Sequence, residues 1–174
     1  MNKRFTVRKL VLASLFAALT FAATLIHIHF PGMMTGYVNT GDCMVIISAL
    51  LLGPIYGASA AAIGSAFTDL FHGYVIYVPA TFVIKFLMAF AAYYIYVLIS
   101  KKKLEFKIVP TLISGIVAEA IMVAGYFLYE ALFIVGIAGA AAGIYGNCVQ
   151  GLVCLVIAAV LLKVLKKTNI TKLI

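Results

Sequence analysis

Between three short basic clusters this chain is almost continuous hydrocarbon, and that pattern restricts its fold more than any other feature. The clusters are Lys3, Arg4, Arg8 and Lys9, then Lys101, Lys102, Lys103 and Lys107, then Lys163, Lys166, Lys167 and Lys172. The last of the 13 basic residues, Lys85, stands alone inside the apolar run PATFVIKFLMAF. Apolar runs of about 20 residues flanked by Lys and Arg read as membrane spans whose orientation those cations set. The chain is 66% hydrophobic and 10% charged, outside the range of soluble domains. Its net charge of +8 would otherwise suggest nucleic acid. Cations that flank spans, with almost no aromatics among them, are explained by membrane orientation, so no nucleic-acid partner is expected.

Six spans are expected, at about 10–28, 41–52, 55–72, 78–99, 108–131 and 142–164. The breakers between them are Pro31, Gly32 and Gly36, the Gly53-Pro54 turn, the FHGYV turn, and a Gly/Ala-rich connection after the fifth span. An even number of spans puts both termini and the 100–107 loop on one side, and all three basic clusters fall there. The expectation is an all-α integral membrane bundle, N-in and C-in, forming one domain over 1–174 in the cell membrane. The second span, about 12 residues, is too short to cross unless the preceding loop is partly helical. The N-terminal MNKRFTVRKL and the apolar run after it resemble a signal peptide. They lack an A-x-A cleavage pattern and are read as a first span.

Polar residues can then be placed by depth. Tyr77, Thr81 and Lys85 recur at i, i+4, i+8 and share one helical face. Ser65, Asp69 and His72 form a stripe with Thr68 beside it, Asn39 and Asp42 open the second span, and Asn147 and Gln150 sit in the outer third of the sixth. Glu119 lies near mid-membrane, with Tyr126 and Glu130 above it on nearly the same stripe. Polar groups confined to the outer halves describe a water-accessible binding cup closed toward the cytoplasm. A pore or proton relay needs them at every depth.

Each of these residues also has a structural reading. Lys85 pairs with Asp69 or Glu119, and if it instead serves the ligand, Lys85→Met keeps the fold by relieving desolvation. Asp42 caps the second span. Asn147 and Gln150 act as hydrogen-bonding glue between helices. His27 and His29 are interfacial, and Tyr93, Tyr94 and Tyr96 form an aromatic belt. Cys43, Cys148 and Cys154 contain no C-x-x-C pair and read as small packing residues. On the first span, Ala13, Ala17, Ala18 and Ala22 leave a small-residue surface for a partner helix, and that span has no evident part in the cup.

The chain has no P-loop, no H-E-x-x-H and no G-x-S-x-G elbow, and nothing suggests a metal or cofactor of its own. An enzyme is not expected. A chain this small without an internal repeat is also unlike a self-sufficient secondary transporter.

Residues 38–90, from VNTGDCMVII to VIKFLMAF, resemble the substrate-binding S component of energy-coupling factor (ECF) vitamin transporters. The matching segments are N-x-G-D at 39–42, ALLLGPIYG at 49–57, GSAFTDL at 64–70, Pro79 to Lys85, and GNCVQG at 146–151. Ala13 to Ala17 resembles the family's A-x-x-x-A contact motif. The nearest group is the riboflavin-type subfamily with its hydroxymethylpyrimidine and pyridoxine relatives. The resemblance implies a six-helix subunit that captures a vitamin from outside with very high affinity. It implies docking on a transmembrane T component driven by two cytoplasmic ATPases, with ATP and magnesium used by those partners, and toppling in the membrane to release the ligand. Lys85, Asn147, Gln150, Asp69, His72, Tyr77, Thr81, Asn39, Asp42, Glu119 and Tyr126 are the candidate ligand contacts. One cation, carboxylates, amides and tyrosines suit a small hydroxylated aromatic heterocycle. A pyridoxine- or hydroxymethylpyrimidine-like vitamin is favoured, with riboflavin as the alternative.

Overall fold

The computed structural model describes residues 7–28, 37–101 and 107–168. His29, most of the first loop, and Lys3, Arg4, Lys102, Lys103 and Lys172 of the basic clusters lie outside these residues. Six α-helices follow one another: α1 Val7–Leu25, α2 Gly41–Leu52, α3 Tyr56–Phe71, α4 Val78–Ser100, α5 Ile108–Phe133 and α6 Gly136–Lys167. Four of them, α1, α4, α5 and α6, are long and apolar enough to cross a bilayer. The exterior is correspondingly greasy, with Leu98 78% and Ile137 74% exposed, a surface that needs lipid around it.

The elements differ from the sequence expectation in three places. α1 stops at Leu25, because the chain turns there into a two-residue antiparallel ladder that pairs β1, His27–Ile28, with β2, Val38–Asn39. The Gly/Ala-rich segment after α5 is helix and not a connection. Only Ile134 and Val135 link the two helices, and Gly136 takes the turn at φ +72°. Alanine is the strongest helix former, and the turn needs only one glycine. Finally, α2 remains at 12 residues, preceded by strand and not by helix. At about 1.5 Å per residue it is roughly 18 Å long.

The short helix is tolerable because it is the centre of the bundle. Apart from Met44, every residue of α2 is buried. Ile46, Ile47 and Leu50 pack with Phe16 of α1, Tyr96 of α4 and Cys154 of α6. Val45 and Ala49 pack with Ala58 and Ala61 of α3, Met88 of α4 and Met122 of α5. A helix sheathed by others need not span the hydrocarbon, since its ends meet protein and not lipid. Tyr96 consequently is not part of an interfacial belt: it is buried and its hydroxyl accepts the Lys107 N–H at 3.1 Å.

α1 satisfies its own hydroxyls. Thr20 and Thr24 donate to the carbonyls of Phe16 and Thr20 at 2.8 and 2.7 Å. That frees its small-residue side to approach α3 closely. A Cβ on Gly64 would strike the Ala17 carbonyl and sit 2.8 Å from Thr20 Cβ. Gly64→Ala should therefore force α1 and α3 apart and cost about 1–3 kcal/mol of apo stability. Thermal melting in detergent measures this, and an unchanged midpoint would show that the contact is not tight.

Candidate ligand-binding site

The cavity sits where α1, α3 and α5 end and α2 and α4 begin, so successive helices run in opposite directions. The described members of the basic clusters, Arg8, Lys9, Lys101, Lys107, Lys163, Lys166 and Lys167, lie at the other end. Thr24, Asn39, Asp69, Lys85, Tyr126 and Asn147 line the cavity, one from every helix or its flank, together with Ser65, Tyr77, Thr81, Glu130 and Gln150.

Its floor is an ion pair. Lys85 Nζ bonds Asp42 Oδ1, the two side chains being 2% and 0% exposed. Gln150 Nε2 donates to the other Asp42 oxygen, and Gln150 Oε1 accepts the Asn39 N–H at 2.7 Å. The Lys85 ammonium also lies 5.4 Å from the Tyr126 ring centre, and the Tyr126 hydroxyl bonds Thr81 at 3.0 Å. Helices α2, α4 and α6 and strand β2 are thus tied together in a region where each unmatched polar group would be costly. Asp42 is not a helix cap: Asn39 takes that part, its Oδ1 accepting the Gly41 N–H at 2.8 Å. Nor does Lys85 pair with Asp69 or Glu119. Asp42 occupies the first turn of the central helix, so its carboxylate points inward, where Lys85 descends from α4.

The walls hold further pairs. Asp69 accepts the Tyr37 hydroxyl at 2.6 Å, and Glu130 accepts the Tyr77 hydroxyl at 3.1 Å. Tyr37 lies in the loop, where burial first, and then the Asp69 charge, push its hydroxyl well above the ordinary tyrosine range, so it stays a donor. His27 packs against Tyr37 at 4.9 Å and His72 at 4.4 Å, the rings tilted to one another by 53° and 55°, and these rings with Tyr74 form an aromatic rim.

Eight of the eleven candidate contacts line the cavity: Lys85, Asn147, Gln150, Asp69, Tyr77, Thr81, Asn39 and Tyr126. Asp42 lies directly beneath, behind Lys85 and Gln150. His72 belongs to the rim. Glu119 lies instead in a separate apolar cleft of about 510 Å³ between α5 and α6, where neither carboxylate oxygen has a hydrogen-bond partner among the described residues. Asn147 borders both spaces. Three lining residues, Thr24, Tyr37 and Tyr74, escaped the sequence reading. Thr24 gives α1 a part in the site, and its signal was Thr20 and Thr24 at i, i+4 in a run of alanines. Of the α1 alanines, Ala13 and Ala17 pack against the core while Ala18 and Ala22 are exposed. Cys43 and Cys154 are buried as packing residues, whereas Cys148 is exposed.

The cavity measures about 40 Å³, room for a few waters, so any organic ligand must displace side chains or rim to enter.

A bundle of membrane helices around a polar, ion-paired cavity at one end belongs to the class of membrane-embedded small-molecule binders. Residues 4–167 match the family described as "ECF-type riboflavin transporter, S component", and the chain belongs to that family of transport subunits, which are not enzymes. It is 33% identical over 152 residues to the "uncharacterized protein in gap 3'region" of Pyrococcus woesei, covering 86% of this chain and 95% of that one. A solved structure described as that of the S component of a bacterial ECF transporter superposes with TM-score 0.66. It covers 94% of this chain and 98% of its own, at 19% identity, and so shares the fold. The protein is a multi-pass membrane protein.

With the pair in view, Lys85→Met is no longer a neutral change, because it strands Asp42. Lys85→Met or Asp42→Leu alone should destabilise the apo protein, the lysine change by about 3–5 kcal/mol, while the double variant recovers most of the loss. Unfolding titrations of the single and double variants form the cycle, and additive losses would show that the residues do not act as a pair.

Proposed function

We propose that this subunit binds a small, basic, hydroxylated aromatic heterocycle of the pyridoxine or hydroxymethylpyrimidine kind. One observation carries this reading: the one ammonium among the described lining residues is already neutralised by Asp42, whereas Asp69 and Glu130 add two carboxylates to the wall. An acidic excess favours a ligand with a protonatable ring nitrogen and hydroxyl donors, and Tyr126 and Tyr77 offer faces for its ring. The small volume also suits a single ring. The alternative is riboflavin, favoured by the family's description and by the apolar cleft beyond Asn147, where a larger ring system would find room.

The ligand would enter from outside, with the basic end of the bundle facing the cytoplasm as the positive-inside rule requires. The loaded subunit would deliver the vitamin by docking on a T component powered by two ATPases, the exposed Ala18 and Ala22 giving that partner helix its closest approach.

Native mass spectrometry of gently purified protein tests the ligand: a bound pyridine or pyrimidine is expected, and a flavin absorption band would instead establish riboflavin. The Asn147 side chain has no hydrogen bond to any described residue, so Asn147→Ala should weaken binding about ten- to a hundredfold at unchanged apo stability. Gln150→Ala, which breaks the floor network, should lower apo stability as well. Equal loss of apo stability in both would make Asn147 structural.

Docking separates cleanly from binding. Ala18→Trp and Ala22→Trp should leave vitamin binding by the solitary subunit intact while abolishing co-purification with the T component and ATP-driven uptake. Uptake without partners would establish a stand-alone transporter, and uptake by the assembled Trp variants would remove α1 as the docking face.

A further inference from the structure

At the basic end of the bundle a second cleft, of about 790 Å³, opens between the start of α5 and the end of α6. Four of its eight described lining residues are lysines: Lys107, Lys163, Lys166 and Lys167. None of these described lining residues is acidic. Its floor is apolar, made by Ile108, Ala159 and the buried Leu162.

Cation placement by the positive-inside rule needs no cleft and no convergence of side chains. On α1, Lys9 lies over the Tyr56 ring at 5.8 Å, a cation already engaged. On α6, by contrast, Lys163, Lys166 and Lys167 recur at i, i+3, i+4, so they share the face turned toward Lys107. Lys163, Lys166 and Lys167 have no ion pair with any described residue. The positive end of the α5 dipole points into the same place, where Pro110 lacks an N–H and leaves Ile108 and Val109 to present theirs.

α6 is 32 residues long, so at about 1.5 Å per residue it overruns a hydrocarbon core of roughly 30 Å. Its lysine end therefore reaches headgroup level, with the apolar floor just below it. Concentrated positive charge above an apolar slot complements a phosphodiester carried on acyl chains, and a soluble anion would leave the slot empty.

We propose that this cleft is a binding site for one anionic phospholipid, whose phosphate is held by the lysine quartet and whose acyl chain lies along Leu162 between α5 and α6. The site is separate from the vitamin cavity and independent of which vitamin that cavity takes.

The purified subunit in mixed phosphatidylglycerol–phosphatidylcholine nanodiscs, released for native mass spectrometry, provides the test. Retained phosphatidylglycerol should exceed phosphatidylcholine by at least about tenfold, and each neutralised lysine should reduce retention about fivefold. Lys163→Gln/Lys166→Gln/Lys167→Gln should abolish the preference and leave vitamin binding unchanged. A control variant, Arg8→Gln/Lys9→Gln/Lys101→Gln, removes the same charge elsewhere and should keep the preference. Equal loss in both variants would reduce the effect to overall charge and overturn the site. So would retention of both lipids alike, or a triple α6 variant that still selects phosphatidylglycerol but no longer assembles with its partners, which would assign the cleft to protein.

Discussion

The architecture turns on one buried ion pair. Lys85 and Asp42 would each be prohibitive alone among apolar helices, and together they cancel only because α2 and α4 hold them in contact. Gln150 saturates the second carboxylate oxygen, and through it Asn39 is fixed above α2. One set of hydrogen bonds thereby closes the bundle core and shapes the floor of the site. Such a pair adds little net stability compared with well-packed apolar residues. What it does fix is register, since sliding α4 by one turn would separate the charges by about 5 Å.

Much of this was legible in the sequence because lipid punishes exceptions. The isolated lysine, the i, i+4, i+8 face and the basic clusters each marked their own positions, and eight candidate contacts do meet in one cavity. The pairing was not legible. A glycine-aspartate step before an apolar run looks like a cap, and periodicity reports which residues share a face without reporting which helix is central. Once α2 is enclosed, Asp42 has to face inward and the cap falls to Asn39. Glu119 went astray for the related reason that a stripe on a helix does not say which of two neighbouring spaces it lines. Thr24, Tyr37 and Tyr74 were missed because one sits in a helix read as outside the cup and two sit in loops, where no periodicity exists.

The cavity and its chemistry constrain each other. A space of about 40 Å³ is walled by committed tyrosine–carboxylate pairs, while the Ser65 hydroxyl on its lining has no hydrogen-bond partner among the described residues. Any ligand that opens those pairs must replace their bonds with its own, and a merely apolar molecule would leave donors stranded. Discrimination then rests on stranded polar groups more than on shape. The scaffold beneath, held by the ion pair, need not change for the wall to accept another vitamin, so family membership alone does not name the ligand.

The helices also differ greatly in height. α6 is about 48 Å long while α3, with 16 residues, is about 24 Å. The bundle therefore wears a hydrophobic belt of uneven width, generous at α5 and α6 and short of the bilayer thickness beside α3. Lipid must thin or the protein must lean where the belt is narrow, at a cost of fractions of a kcal/mol per Å. Covering that narrow side with another protein removes the strained lipid, and the exposed alanines of α1 lie next to it. The flank where α1 meets α3 is thus the one at which the protein matches a flat bilayer worst.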